Sequence, residues 1–577
     1  MPRIAIITPP VVKPSEPNLS GAAAARALRA RGVWARAIDA SIGWYARVLS
    51  RPSLERAGAA AAAAGATPGA LLALRRAIRS VTADPPPLRA AATYASRFRY
   101  SSAVAHLETA LAGASAPFPG VRLRVAYVDV DGHRPESSAS LASLAPRPSP
   151  FDEYYCDELI PALAALGVTH AGISLTFQNQ AFGAVRLAAL LRARLPGVVR
   201  LLGGPLLTCW HAAGAPLAGP AFALFDRLLP AGTEAELGGL AVELGGTAER
   251  AGPPGPLTVD LDETPWDAYL APQPTVPAAL GRGCSWRRCT FCPDHLHGAH
   301  EPCGERSVDD FLRAVAARFP AGAMLHLTDS ALPPRHLEHL AEVIRRERLP
   351  LRWHGFVRVE PDFADPDYAR HLAAGGCAML QLGIESGSPR LLELMGKGAG
   401  PDRSRAALRA LHAAGIRNQV YLLFGLPTET DADRELTLAF VEAEAAAIHD
   451  LNHALLNLPR LSPMHRRPQR FGISAVVPFH ADTDLSLYDD FRCGDSHPRV
   501  EARRWLDRRF LKSAAVKRIL GGWRAPFKAN HACFVEAGAE PEGRAGREPG
   551  RSRGGDPDGS AGGAGRHAPW DRLNRSR

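Results

Sequence analysis

The chain has 577 residues and a formal net charge of +10, with 46% hydrophobic and 22% charged residues. These values are ordinary for a globular protein of two to four domains. Most basic residues are arginines and no run of five or more occurs, which argues against a concentrated phosphate-binding surface.

The sequence contains no stretch that is predicted to cross or enter a membrane. The most apolar helical stretch is interrupted by Pro68, Arg75 and Arg76. The opening MPRIAIITPP runs directly into a strand-like segment and lacks the pattern of a signal peptide. Nine cysteines are scattered apart from one cluster, which argues against a disulfide framework. We therefore expect reduced thiols and a cytoplasmic location.

Residues 1–245 alternate short apolar runs with helical segments, which predicts an α/β domain with a doubly wound, Rossmann-like parallel sheet. The strand-like runs are RIAIIT (3–8), VWARAIDAS (33–41), VRLRVAYVDV (121–130), VTHAGISLT (168–176), VRLLGGP (199–205) and FDRLLPAG (225–232). Such sheets bind ligands beyond the carboxyl ends of their strands. The residues expected there are Pro9, Pro10, Ser174, Thr176, Gly203, Gly204, Gly232 and Glu234. Taken alone, these residues are equally typical of ordinary turns.

A second alternating series follows a linker that is rich in proline and glycine, at residues 246–275. Residues 276–465 contain six strand-helix units, which are too few for an eight-unit barrel and predict a partial (β/α)6 barrel of the TIM type. The predicted strands are 275–280, 324–329, 351–358, 378–386, 419–427 and 451–459. Chemistry in such folds lies at the carboxyl ends of the strands.

The last two regions carry weaker signals. Residues 466–537 mix strand and helix patterns and are interpreted as a small C-terminal cap. Its segment FKANHACFV, with Asn530, His531 and Cys533, is either a pocket lining or a packed terminal strand. Residues 538–577 have too few apolar side chains to offset the entropy of ordering and are predicted to be disordered.

Three cysteines lie within nine residues of the loop that follows the first strand of the second series. The stretch GRGCSWRRCTFCPDH, residues 281–295, holds Cys284, Cys289 and Cys292. Thiolates bind soft metals, and a closed structural zinc site needs four ligands. The next cysteine is Cys303, and no second close pair accompanies it, so zinc and inert cysteines are both disfavoured. Three thiolates on a four-iron cluster would leave one iron open to bind a substrate.

The cluster loop, with Phe291 before its last cysteine and a position early in a partial barrel, resembles radical S-adenosylmethionine (SAM) enzymes. The resemblance implies a 4Fe–4S cluster held by the three cysteines, whose open iron takes the amino and carboxylate groups of SAM. Reductive cleavage of SAM would then release a 5′-deoxyadenosyl radical. The spacing here is C-x4-C-x2-C, whereas the commonest family spacing is C-x3-C-x2-C.

The same resemblance extends to further strand ends. GIESGS (383–388) resembles the segment that holds the SAM ribose and amino group, here through Glu385 and Ser386. FGLPTET (424–430) resembles the adenine-side turn, with Gly425 and Pro427. Asp329 and Arg358 are expected near the SAM ammonium and carboxylate. The alternative roles are helix caps for the acidic residues and a surface ion pair for Arg358.

The first domain, with PP after its first strand and LGGP after a later one, resembles the cobalamin-binding domain of a radical SAM subfamily. The resemblance covers roughly residues 1–465. No full D-x-H-x-x-G motif occurs, and DGHRPE at 131–136 lacks its final glycine. His133 is therefore interpreted as a loop histidine, and no histidine ligand is expected below the cobalt.

Together these features predict a radical SAM enzyme that methylates an unactivated carbon with methylcobalamin. A second SAM molecule would then return a methyl group to the cobalt. A cobalamin-dependent radical rearrangement without methyl transfer is the first alternative. A non-enzymatic iron–sulfur or cobalamin module and a nucleic-acid modifier are further ones. The expected partners are an electron donor such as flavodoxin or ferredoxin and a small-molecule, lipid or peptide substrate.

Overall fold

A computed structural model describes residues 2–249, 255–294, 300–521 and 528–535. The predicted tail at 538–577 lies outside these residues. In the described part of the chain, no helix combines the length and apolar character that a membrane span requires.

The first domain is built on a five-stranded parallel sheet. Its strands are β1 (Arg3–Thr8), β2 (Trp34–Asp39), β5 (His170–Ser174), β6 (Val199–Gly203) and β7 (Arg227–Leu228), in the order β2-β1-β5-β6-β7. Apolar side chains pack on both faces of this sheet, which is why its central strands are nearly continuous hydrophobic runs. The predicted doubly wound fold is confirmed.

Helices cover both faces of the first sheet. One face packs against α1 (Leu19–Arg29) and α11 (Glu234–Glu243). The other face and its outer layer hold α2 (Ala40–Val48), α3 (Arg51–Ala63), α4 (Pro68–Val81), α5 (Arg97–Ala114), α6 (Ser138–Leu144), α7 (Asp152–Tyr154), α8 (Ile160–Ala165), α9 (Ala181–Arg194) and α10 (Pro205–Ala212).

The predicted strand at VRLRVAYVDV is not part of the parallel sheet. It forms an antiparallel hairpin, β3 (Val121–Arg124) and β4 (Tyr127–Val130), with Ala126 in the left-handed conformation at its turn. Apolar character alone does not distinguish a sheet strand from a packed hairpin, which explains the difference.

The second domain contains the six parallel strands that were predicted for a partial barrel. They are β9 (Thr275–Ala279), β12 (Ala323–Leu327), β13 (Leu351–Val357), β14 (Cys377–Glu385), β15 (Arg417–Phe424) and β16 (Asp450–Leu455), adjacent in that order. A short antiparallel strand, β8 (Leu257–Thr258), extends the sheet beside β9 from within the predicted linker. The hairpin β10 (Gly281–Arg282) and β11 (Glu301–Pro302) flanks the cysteine loop.

The outward side chains of the barrel strands pack against helices. These are α12 (Glu305–Arg318), α13 (Pro334–Glu347), α14 (Pro366–Ala374), α16 (Pro401–Ala413) and α17 (Asp431–Ala443), with α15 (Pro389–Leu394) at the strand ends. Because the side-chain period of a strand is two, the intervening residues line the barrel lumen. On β13, for example, Trp353 and Val357 pack outward, whereas Phe356 faces inward.

The C-terminal region packs at three separate places on the molecule. A small sheet of β17 (Leu458–Pro459), β18 (Ala475–Val477) and β19 (Tyr488–Arg492) lies with α18 (Pro463–Arg466) near the cysteine loop. Helices α19 (Pro498–Arg508) and α20 (Ala514–Leu520) pack on the outer barrel core. The segment that holds Asn530 and His531 is the short helix α21 (Lys528–His531), rather than a terminal strand.

Candidate functional site

The cysteine loop is held by main-chain carbonyls of one segment, residues 394–398, which begins at the last residue of α15. The Trp286 indole donates to the Gly396 carbonyl at 2.8 Å. The Thr290 amide donates to the Met395 carbonyl at 2.9 Å, and its hydroxyl donates to the Leu394 carbonyl at 2.8 Å. We call residues 394–398 the anchor segment.

Two glycines allow the anchor segment to lie this close to the loop. A Cβ on Gly396 would lie 2.4 Å from the Arg288 carbonyl oxygen, and one on Gly398 would lie 2.3 Å from the Trp286 ring. Both glycines also have positive φ, at +63° and +71°, which disfavours any side chain. The packing therefore requires glycine on steric and conformational grounds.

The three cysteines lie on this anchored loop as partly exposed thiols that form no disulfide. Burial raises the pKa of Cys289, and burial together with Asp294 raises that of Cys292 to about 12. Charge on Cys289 and Cys284 also contributes to raising the pKa of Cys292. Within the described residues, no three His, Cys, Asp or Glu side chains are gathered closely enough to hold a metal ion, the three cysteines included.

Glu385 forms a largely buried ion pair with Lys397 of the anchor segment. The Lys397 ammonium lies 2.9 Å from Oε1 of Glu385, and the side chains of Lys397 and Glu385 are only 8% and 14% exposed. Burial alone would lower the pKa of Lys397, but the neighbouring carboxylate raises it above its usual value. Gly383 leaves room for the pair, because a Cβ there would lie 2.7 Å from Oε1 of Glu385 and 2.8 Å from Nζ of Lys397.

The backbone at Glu385 is also unusual. The residue has a φ of +68°, a conformation that non-glycine residues adopt only at some cost. The pairing of β14 with β15 shifts register between Gly383 and Glu385. Strained residues of this kind are concentrated at functional sites.

Arg358 lies at the end of β13 between the cysteine loop and the anchor segment. Its guanidinium carbon lies 3.7 Å from the centroid of a Trp286 ring, and its Nη1 donates to the Lys397 carbonyl at 2.7 Å. Nε donates to Glu360 at 2.8 Å. Arg358 therefore forms a buried ion pair, rather than the surface pair considered as an alternative.

Asp329 follows β12 and holds the start of the cysteine loop. Oδ2 accepts a hydrogen bond from the Leu280 amide at 2.9 Å. Burial raises the pKa of this carboxyl to about 6, against the opposing effect of backbone amides at Leu280 and Gly281. The side chain is thus oriented by the chain that leads into the cysteine loop.

The other barrel candidates are mainly packed or hydrogen-bonded within the protein. The Ser386 hydroxyl lies 3.1 Å from that of Thr437 and accepts a hydrogen bond from the Ser388 amide. Phe291 packs against the apolar cluster around α15 and α18. Gly425 and Pro427 are buried, and the Gly425 amide donates to Glu429 at 2.6 Å.

At the strand ends of the first sheet, four polar side chains form a connected group. The Ser20 hydroxyl lies 3.0 Å from that of Ser174 and 2.6 Å from that of Thr176. Asn18 accepts hydrogen bonds from Ser20 and Thr176. Beside them Phe177 is 53% exposed, although it is a large apolar side chain. This edge offers hydroxyl groups and one free aromatic surface.

The remaining first-domain candidates lie at the same edge but make protein contacts. The Pro9 carbonyl accepts from Gln180 at 2.9 Å, and the Pro10 carbonyl lies against Gly183. Gly203 ends β6 and would place a Cβ in ordinary contact with Leu229, 3.6 Å away.

Gly204 and Gly232 meet protein atoms rather than open space. A Cβ on Gly204 would lie 2.5 Å from the Leu175 carbonyl oxygen, and one on Gly232 would lie 2.9 Å from the Thr208 hydroxyl. Both residues have positive φ, so glycine is required there for the turn and for packing.

Glu234 is exposed and joins the two domains. It pairs with Arg31 and lies 3.2 Å from Arg282 of β10, next to the cysteine loop. Its pKa is lowered, because these two hydrogen-bonded arginines outweigh the opposing effect of burial. His133 is a loop residue whose Nδ1 lies 2.8 Å from the Asp131 carbonyl.

The donor groups fit the three cofactors that the sequence suggests. Three soft thiols on one loop match the ligands of an iron–sulfur cluster. Cationic and acidic groups beside the cysteine loop (Lys397, Arg358, Glu385 and Asp329) match the carboxylate and ammonium of an amino acid such as SAM. The hydroxyl-lined edge with Phe177 offers polar and aromatic groups, the types of group that a large, partly apolar ligand such as cobalamin would contact.

Lys397, Trp286 and Phe177 were not among the predicted site residues. Lys397 is twelve positions after Glu385, beyond a helix, so only the tertiary structure pairs the two. The sequence does carry a partial signal for Lys397, because the GKG triplet at 396–398 places one lysine between two glycines directly after a helical segment.

The chain is similar in sequence to a known superfamily and to two methyltransferases. Residues 279–441 match the Radical SAM superfamily. An uncharacterized methyltransferase of Pyrococcus horikoshii is 29% identical over 206 residues, which are 33% of this chain and 44% of that protein. The tryptophan 2-C-methyltransferase of Streptomyces laurentii is 32% identical over 168 residues, 26% of this chain and 27% of that protein. The chain therefore matches less than half the length of either relative.

Two solved structures are similar over larger parts of the chain. The cobalamin-dependent S-adenosylmethionine radical enzyme OxsB, with aqua-cobalamin bound, has a TM-score of 0.46 and 14% identity, covering 61% of this chain and 60% of that one. The radical S-adenosylmethionine methyltransferase TsrM of Kitasatospora setae, with cobalamin and a [4Fe-4S] cluster, has a TM-score of 0.40 and 18% identity, covering 54% and 70%. Residues 279–441, which include the cysteine loop and four of the six barrel strands, therefore form a domain that matches the Radical SAM superfamily, and this match implies a 4Fe–4S cluster and SAM as cofactors.

Proposed function

We propose that this protein is a cobalamin-dependent radical SAM methyltransferase. The observation that carries the proposal is the convergence of the cysteine loop, the Glu385–Lys397 pair, Arg358 and Asp329 at one end of the six parallel strands. Enzymes with this architecture place their chemistry at that end.

Cys284, Cys289 and Cys292 would hold the 4Fe–4S cluster, which supplies the electron that cleaves SAM. The anchor segment holds the loop in place through the three hydrogen bonds from Trp286 and Thr290. Since these acceptors are main-chain carbonyls beside two tightly packed glycines, the loop has little freedom to shift away from the strand ends.

The ion pairs beside the loop provide charges of both signs for the amino-acid part of SAM. Lys397 and Arg358 would face its carboxylate, while Glu385 and Asp329 would face its ammonium. Each group is already oriented by the protein, Glu385 by Lys397 and Asp329 by the Leu280 amide. Such preorganisation lowers the cost of binding because little reorientation is needed.

The first domain would hold cobalamin, which supplies the methyl group that is transferred. Ser20, Ser174 and Thr176 would contact its polar substituents, and Phe177 would cover part of its apolar surface. The contact of Glu234 with Arg282 ties this domain to the edge of the cysteine loop. The names of the two methyltransferase relatives agree with methyl transfer.

The test is anaerobic and needs no known substrate. The protein is reconstituted with iron, sulfide and hydroxocobalamin, separated from free corrinoid, and incubated with reductant and SAM that carries a deuterated methyl group. We expect bound corrinoid that acquires the label. The matched variants are Phe177→Ala, which should weaken corrinoid retention, and Phe98→Ala, an exposed phenylalanine of α5 that should not.

Three other results would each contradict the proposal. Retained corrinoid without labelled methyl, together with 5′-deoxyadenosine, would favour a radical rearrangement. Deoxyadenosine without retained corrinoid would indicate a radical enzyme that does not use cobalamin. A redox-active cluster without any SAM cleavage would indicate a carrier module. An electron donor such as flavodoxin or ferredoxin is the expected partner in the first two cases.

A further inference from the structure

The barrel lumen has an exposed aromatic side chain on a central strand. Phe356 lies on β13, which is flanked by β12 and β14, yet it is 37% exposed. Small barrels are normally filled by inward side chains, so an exposed inward phenylalanine marks open space. An exposed apolar surface inside a concave site is typical of ligand binding.

The contacts around Phe356 are aromatic and polar. Its ring centroid lies 5.2 Å from that of Tyr421 on β15. The Tyr421 hydroxyl donates to Oε1 of Gln381 at 3.1 Å and also bonds the Asn452 side chain, which is exposed on β16. Burial raises the pKa of Tyr421, so the phenol stays protonated. We call Phe356, Tyr421 and Asn452 the lumen surface.

Buried side chains lie directly beneath the lumen surface. Gln381 is fully buried, and its Nε2 donates to the Ala529 carbonyl of α21 at 3.3 Å. His354 is fully buried beneath, stacked on His326 with centroids 4.4 Å apart, and burial lowers its pKa well below the usual value. A ligand group that reaches this depth therefore meets the Gln381 amide and the neutral His354 imidazole.

The two carboxylates whose charges act on Tyr421 already have partners in the protein. Glu385 pairs with Lys397. Asp450 is fully buried and accepts hydrogen bonds from Gln419 at 2.7 Å and from the Leu451 amide at 2.8 Å. A cation placed against Phe356 would lose its hydration without gaining an unpaired carboxylate. An anion would gain little, because Arg358, two residues after Phe356, is already paired with Glu360.

We infer that the lumen surface binds an uncharged, flat, unsaturated part of the substrate that carries one hydrogen-bonding group. Phe356 and Tyr421 provide the ring faces and edges, and Asn452 with the Tyr421 hydroxyl provides the polar contact. The inference rests on the proposed function, because the strand ends directly above are assigned to SAM. Any charged substituent of the substrate would lie outside the lumen.

The test is equilibrium dialysis of small probes with the reconstituted, SAM-bound protein. Indole is the neutral flat probe with one donor, 1-methylindole lacks the donor, and benzoate and benzamidinium are the charged probes. We expect saturable binding of indole, at least tenfold weaker binding of both charged probes, and several-fold weaker binding of 1-methylindole. Phe356→Ala should weaken indole binding at least tenfold, whereas Phe98→Ala should leave it unchanged.

Asn452→Ala provides a second variant on an exposed position, and it should remove the preference for indole over 1-methylindole. Equal binding of neutral and charged probes, or indole binding that is unaffected by Phe356→Ala, would overturn the inference. Deoxyadenosine formation is assayed in the same samples of unmodified protein. Cleavage of SAM without selective indole binding refutes only this inference, whereas selective binding without any cleavage refutes the proposed function.

Discussion

Lys397 is the residue on which the proposed SAM site depends most. It neutralises Glu385, its carbonyl accepts from Arg358, and it lies between the two glycines that pack on the cysteine loop. A partner removed from a buried ion pair leaves the other charge uncompensated, at a cost of about 3–5 kcal/mol.

We therefore predict that Lys397→Ala weakens SAM binding at least tenfold and lowers the thermal midpoint of unfolding. Lys397→Arg should retain part of the SAM affinity and part of the thermal stability, because it keeps the positive charge next to Glu385. Titration of the reconstituted protein with SAM and thermal melts of the same samples measure the two effects. Unchanged SAM affinity in Lys397→Ala would exclude a role for the lysine in the binding site.

Asp329 gives a pH-dependent prediction. Its pKa in the folded protein is raised to about 6 by burial, above the ordinary value of an aspartate. The folded state then binds the proton more tightly than the unfolded state, so the contribution to stability falls as pH rises from about 4 to about 6. A two-unit shift corresponds to about 3 kcal/mol.

The measurement compares thermal midpoints of the cluster-free protein and of Asp329→Asn between pH 4 and 7. The midpoint of the unmodified protein, relative to that of the variant, should fall across this interval and level off above it. A difference that is constant with pH would show that the Asp329 carboxyl has an ordinary pKa.

At the scale of elements, the anchor segment and the cysteine loop form one packed unit, although about a hundred residues separate them in sequence. The anchor segment provides carbonyl acceptors, and the absence of side chains at Gly396 and Gly398 allows the approach. The position of the loop thus depends on a segment without metal ligands.

Gly396→Ala should therefore reduce iron incorporation strongly while leaving the barrel folded. Gly400→Ala is the matched control, since a Cβ on Gly400 would meet no heavy atom within 4 Å and its φ is −92°. Iron and sulfide are quantified after anaerobic reconstitution, and circular dichroism checks the fold. Equal iron content in the two variants would refute the anchoring role.

Much of the architecture was predictable from local sequence patterns. The structure differs from the prediction where tertiary contacts determine the pairing of a segment. The six barrel strands and the five-stranded sheet follow from apolar runs and turn residues. The β3–β4 hairpin, β8 and α21 were not predicted, because their pairing partners are remote or their segments are short. The cysteine spacing is visible in the sequence itself, whereas the Glu385–Lys397 ion pair becomes visible only in the folded structure.

At the scale of the whole molecule, α21 joins the two domains beneath the lumen. Asn530 accepts a hydrogen bond from Lys13 at 3.2 Å and donates to Glu16 at 2.8 Å, and both partners belong to the loop after β1. Glu16 also lies 2.8 Å from Nδ1 of His326 on β12. The first domain, the barrel and the C-terminal segment therefore share one polar junction.

Removal of the Asn530 amide should loosen this junction. Lys13 and Glu16 would each lose a hydrogen-bond partner in a largely enclosed setting, at about 1–3 kcal/mol per group. We predict that Asn530→Ala separates the unfolding of the two domains into two calorimetric transitions, whereas Asn179→Ala, within the first domain, retains the original profile. A single unchanged transition in Asn530→Ala would argue against the junction.

The central claim is that the three cysteines hold a cluster that cleaves SAM. The most direct measurement is 5′-deoxyadenosine formation after anaerobic reconstitution, compared among the unmodified protein, Cys289→Ala and Cys156→Ala, a partly exposed cysteine of the first domain. The unmodified protein and Cys156→Ala should contain about four irons per chain and form deoxyadenosine, and Cys289→Ala should not. Undiminished SAM cleavage by Cys289→Ala, or a zinc-loaded unmodified protein that never cleaves SAM, would contradict the account.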